Sequence, residues 1–124
     1  MGGSGLVKTI IAGSRDIEDY DVVKSAIKES GYVITEVVSG RAKGIDKLGE
    51  RWATDNNIPV KEFPAYWNTY GKTAGFRRNN DMAKYADALV AVWDGRSKGT
   101  KHMIDTATRE GLKVYVQVVG EKGK

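Results

Sequence analysis

Apolar residues recur along this chain in two alternating rhythms. Short blocks rich in β-branched side chains read as strands: "LVKTIIA" at 6–12, residues 33–38, Val60 to Phe63, Ala88 to Trp93 and Lys113 to Val119. Between them the spacing turns helical. Tyr20, Val23, Ala26, Ile27 and Ser30 share one stripe over 18–30, which Gly31 ends and which Asp16 is expected to cap. Ile45, Leu48 and Trp52 line one face of a helix over about 45–56. Met82, Tyr85 and Ala86 mark another, and Met103, Ile104 and Ala107 face inward from a last helix over 100–110, stopped by Gly111. Only "AYWNTYGKTAGFRRNN", residues 65–80, follows neither rhythm, and it reads as a long connection.

Strands that alternate with helices predict an α/β fold: one Rossmann-like, three-layer domain with a mainly parallel five-stranded sheet in the order 3-2-1-4-5. Right-handed crossovers then put every strand-to-helix loop on the carboxyl edge of the sheet. The crevice of such a fold opens where the strand order reverses, here between the first and fourth strands. Gly13-Ser14-Arg15-Asp16, Ser39 to Gly44 and Asp94 to Thr100 are therefore expected to converge, with Gly13, Ser14, Arg15 and Asp94 among the ligand contacts. The domain is expected over 6–119. Residues 1–5 read as a flexible leader or expression remnant, and 120–124 as a flexible tail.

Composition narrows the chemistry. The chain has 124 residues and no repeat or linker, consistent with one domain. It has no cysteine and one histidine, which excludes disulfides, thiolate metal sites and multi-histidine metal sites; no metal or cofactor is expected. No apolar run reaches the roughly 18 residues of a membrane span, and the absence of cysteine fits a reducing compartment, so a cytoplasmic location is expected. The net charge of +4 favours anionic partners but is too small for a nucleic-acid stripe.

The loop "SGRAKGID" at 39–46 joins two glycines to two cations ahead of a helix. Its amides and the helix N-terminus suit an anion, with Arg41 and Lys43 adding charge; an ordinary strand-to-helix turn accounts for it equally well. "WDGRSKGTKHM" repeats the pattern, with Ser97 and Thr100 as phosphate donors or as helix caps. Neither loop is a phosphate loop ending in Gly-Lys-Ser/Thr or a G-x-G-x-x-G fingerprint. Arg77 and Arg78 precede Asn79 and Asn80 at a helix start; Arg78 is read as ligand-facing and Trp67 as structural. His102 reads as a lone surface histidine. Asp46 and Glu50 share a helix face near the rim, as an acid–base pair, as ribose ligands, or with Asp46 steadying the helix N-terminus and Glu50 solvated.

Three stretches, "IIAGSRD", "VVSGRAKGIDKLGERWA" and "YGKTAGFRRNNDMAKYADALVAVWDGRSKGTKHMIDTA", resemble the YspA-like branch of the SLOG superfamily in order and spacing, from about Val7 to Val118. The resemblance implies a Rossmann-like pocket for a nucleotide or nucleotide-derived ligand. It implies that Gly40, Arg41, Gly44, Asp46 and Arg78 line that pocket, together with Asn79, Ser97, Gly99 and Thr100. It also implies a homodimer or higher homo-oligomer. The related LOG phosphoribohydrolases carry a catalytic glutamate in a Gly-Thr-x-x-Glu loop, where this chain has Met103, so the enzyme reading is disfavoured and Asp46 is the remaining catalytic candidate. The expectation is a binder that senses or sequesters a small phosphorylated signalling nucleotide, as would suit a phage or mobile element. The alternative is an N-glycosidase or phosphoribohydrolase acting on a nucleoside monophosphate. Single-stranded nucleic acid, implied by the more distant DNA-processing protein A family, is disfavoured by the modest charge.

Overall fold

The computed structural model describes residues 6–120, so the leader 1–5 and all of the tail but Gly120 lie outside the described residues. The elements run β1 (Leu6–Gly13), α1 (Tyr20–Ser30), β2 (Val33–Ser39), α2 (Ile45–Asp55), β3 (Val60–Glu62), α3 (Trp67–Tyr70), a 3-10 turn (Gly71–Thr73), α4 (Ala74–Tyr85), β4 (Ala88–Trp93), α5 (Lys98–Arg109) and β5 (Lys113–Val118). Every strand pair is parallel, and the sheet order is β3-β2-β1-β4-β5, as the alternation predicts.

Central strands β1 and β4 are apolar on both faces because helices cover both. Ile11, Val37, Val90 and Val92 meet α1 and α2 through Val23, Ile27, Ile45 and Ala53. Ile10, Leu89 and Ala91 meet α4 and α5 through Met82, Ala83, Met103 and Ala107 on the other side. Gly49 of α2 faces Ile11 so closely that a β-carbon there would stand 2.7 Å from its Cγ2, and the missing side chain lets α2 reach the sheet.

Two local expectations are corrected. Asp16 does not cap α1: the helix starts later, at Tyr20, and Asp19 Oδ1 accepts the amide of Asp21 at 3.0 Å. Asp19→Ala is expected to cost about 1 kcal/mol while Asp16→Ala costs little; urea-unfolding midpoints of the two variants check it. The stretch 65–80 is largely helical. Its α3 and 3-10 turn are too short to display a stripe, and α4 begins at Ala74, so Arg77 and Arg78 sit within a helix already under way.

Candidate functional site

The loops after β1, β2 and β4 close on a cavity of about 630 Å³ at the carboxyl edge of the sheet, walled also by α4. Gly40 is among its lining residues. A β-carbon there would lie 2.7 Å from Arg78 Nη1 and 2.9 Å from Asp46 Oδ2, so glycine lets both side chains lie against the loop. Arg78 Nη1 donates to the Gly40 carbonyl at 2.5 Å, and its Nε donates to Asn79 Oδ1 at 3.0 Å. Asp46, 5% exposed, accepts the Ala42 amide at 3.3 Å through Oδ2.

Burial dominates the electrostatics of this pair. Desolvation pushes Asp46 up to about 6, against the opposing pull of Arg78, and the same desolvation draws Arg78 below its usual value. Glu50 is not solvated. It accepts from Ser39 Oγ at 2.5 Å and from the Arg41 guanidinium, which also lies 3.8 Å from Glu62. Arg41 is thereby paired with carboxylates while it also lines the cavity beside Lys43. The Arg41 backbone has φ 63, the left-handed region uncommon outside glycine, and the Ser39 hydroxyl steadies it by accepting the Arg41 amide.

Gly13, Arg15, Gly40, Arg41, Asp46 and Arg78 all line the cavity. Asn79, Ser97, Gly99 and Thr100 line it too, whereas Ser14, Gly44 and Asp94 do not. Those three hold loops together. Ser14 Oγ accepts the Asp94 amide at 3.0 Å and bonds Ser97 Oγ at 3.1 Å, tying the β1 loop to the β4 loop. Asp94 Oδ1 accepts the amides of Arg96 and Ser97, each at 2.8 Å, and these bonds hold its carboxyl below the usual range. Gly44, at φ +73, would place a β-carbon 2.5 Å from the Arg15 carbonyl oxygen. It is required for loop-on-loop packing.

Neither α2 nor α5 has a side-chain cap, so their first-turn amides are left for other acceptors. Trp67 is 58% exposed on the cavity wall with Phe76 at 47%, which corrects its structural assignment: the short α3 turns it outward instead of under the body. Lys72 and Lys98 also line the cavity and carried no sequence signal beyond their charge. His102 is not a lone surface group. Its ring stacks on Phe76 with centroids 4.1 Å apart, Asn79 Nδ2 lies 3.1 Å from its Nδ1, and burial lowers its pKa. Asn79 Nδ2 can only donate, so Nδ1 accepts and the neutral ring carries its proton on Nε2.

A parallel 3-2-1-4-5 sheet with glycine-rich loops gathered at its switch point is a Rossmann-like domain. The model of the YspA, cpYpsA-related SLOG family matches residues 7–70, and the chain belongs to that family, which is associated with nucleotide-derived ligands. The Gene 61 protein of Mycobacterium phage D29 is 33% identical over 117 residues, covering 86% of this chain and 93% of that protein. No solved structure matches significantly. Among the described residues no helix is long and apolar enough to cross a membrane, and no cluster of His, Cys, Asp or Glu is fit to hold a metal ion.

Proposed function

We propose that this protein binds a small phosphorylated nucleotide derivative in the 630 Å³ cavity and holds it without cleaving it, as a sensor or a sequestering protein. One observation carries the reading: the charge of the lining. Arg15, Lys43, Lys72, Arg78 and Lys98 line the cavity in addition to the neutralised Arg41, and Asp46 is the one carboxylate among the lining residues. That excess is concentrated far beyond what the chain's +4 would scatter at random. Phosphates would take the amides of the 40–44 and 97–100 loops with Arg78 beside them, and Trp67 offers an exposed ring for a base. The volume lies within the roughly 300–1,000 Å³ range of small-molecule sites.

A thermal-shift panel of mononucleotides, cyclic nucleotides, dinucleotides and ADP-ribose tests it. A true ligand at a hundredfold excess over its Kd adds about 2.7 kcal/mol of stability. Arg78→Ala is expected to weaken that ligand at least about tenfold, the loss of one charge-assisted contact, while Lys28→Ala, on exposed α1, leaves it unchanged. If no compound raises the midpoint, the reading fails.

Asp46 favours a second reading, cleavage of an N-glycosidic bond, because a cavity-wall carboxyl near 6 can hold a proton close to neutrality. Met103, buried in the cavity wall where the phosphoribohydrolases place glutamate, weighs against it. Free base released from a nucleoside monophosphate, and lost in Asp46→Asn, would establish cleavage; intact ligand after prolonged incubation would leave binding.

A further inference from the structure

The two edges of the sheet are built differently. β3 is three residues long and carries exposed Lys61 and Glu62, the charged, short form in which edges resist pairing. β5 spans Lys113–Val118, "KVYVQV", with no proline, no glycine and a charge only at its first residue. Among the described residues no strand lies on its outer side.

Its backbone polarity is fixed by the ladder to β4. The Lys113 amide donates to the Asp87 carbonyl and the Val119 amide to the Trp93 carbonyl, so odd-numbered residues turn their N–H and C=O toward β4. Val114, Val116 and Val118 must then turn theirs outward. Only one occupant reads this pattern symmetrically. A second β5 lying antiparallel across a two-fold at Val116 sets Val116 against Val116 and Val114 against Val118. All of these are outward-facing residues, and each such pair exchanges both of its N–H···O=C bonds.

The side chains agree with that register. Val114 and Val116 lie on the sheet face that meets α4 and α5, and Val118, 56% exposed on the same strand parity, gains the partner's Val114 as a neighbour. On the opposite face Tyr115 meets Gln117, and Lys113 meets Val119, so no like charges stand across from each other.

We propose that β5 is a homodimer interface, pairing antiparallel with a second copy of this chain about Val116 into one continuous sheet. Edge strands alone bury less than the roughly 800 Å² per partner of a standard interface. The dimer therefore also brings α1 and α5, which pack on β5 from its two faces, beside their counterparts.

Sedimentation velocity over a concentration series should show a species of twice the 13.6 kDa chain mass. Val118→Lys breaks two symmetry-related valine contacts and is expected to raise the dissociation constant about tenfold. Cysteine placement reads the register, since the chain has no cysteine of its own. Val116→Cys brings two thiols onto Cα positions about 5.5 Å apart, within disulfide reach, and should form a covalent dimer on mild oxidation. Val118→Cys, about 13 Å from its own copy, should not. Circular dichroism and thermal melts establish that each variant is folded. A wild-type monomer at every concentration overturns the proposal, as does a dimer that ignores Val118→Lys and crosslinks equally at both positions.

Discussion

Asp46→Asn is expected to gain stability over the parent protein as pH rises from about 4 to above 6. The unfolded carboxyl ionises near 3.8 and the folded one near 6 because burial disfavours its charge. Between those values the native state holds the proton that the unfolded chain releases, so the parent loses stability as pH increases. Above pH 6 both states are ionised and the full cost, about 3 kcal/mol, is present. Asparagine bears none of it. The difference between the two proteins in urea-unfolding free energy should therefore shift toward asparagine by about that amount across the window. A difference that stays flat with pH would show that Asp46 ionises without penalty.

The second large effect is Gly13→Ala, at the end of β1. A β-carbon there would stand 2.1 Å from the Val92 carbonyl oxygen and 2.8 Å from Ile45 Cγ1. The neighbouring Ser14 amide bonds the same carbonyl at 3.0 Å, so the β1–β4 junction cannot yield without losing a ladder contact. A loss of about 3 kcal/mol or more is expected, at the high end of overpacking, with a melting midpoint lower by roughly 10 °C. Gly99→Ala is the matched control, because nothing lies within 4 Å of a β-carbon there and α5 has already begun. It should change stability little or raise it slightly. Equal melting temperatures for the two variants would refute the close packing at Gly13.

The sheet order and the converging loops were legible because each element between glycines keeps one period, and crossover handedness then leaves little freedom. The cavity's aromatic side was not. Trp67 and Phe76 lie on helical turns too short or too polar to show a stripe, and sequence alone cannot distinguish an outward tryptophan from one packed beneath its loop. The fate of Arg41 was hidden for another reason. Its partner Glu50 lies nine positions away, across a turn and more than one helical turn, and the backbone at Arg41 takes a left-handed conformation that no residue pattern announces. Asp46 and Glu50 looked alike on their helix, yet one is buried by Gly40 and Arg78 while the other secures an arginine. Spacing places residues on a face; it does not reveal what the next loop lays over them.

The contact between His102 and Phe76 has a practical consequence. This chain has a single histidine, and its ring is stacked on an aromatic that lines the cavity and bonded to an asparagine that does the same. One imidazole thus gives one pair of ring-proton resonances, displaced by the Phe76 ring current and free of overlap from any other histidine. The protein carries its own isotope-free spectroscopic reporter on the wall of its site. Any molecule that enters and moves Phe76 or Asn79 will announce itself as a shift of those two lines.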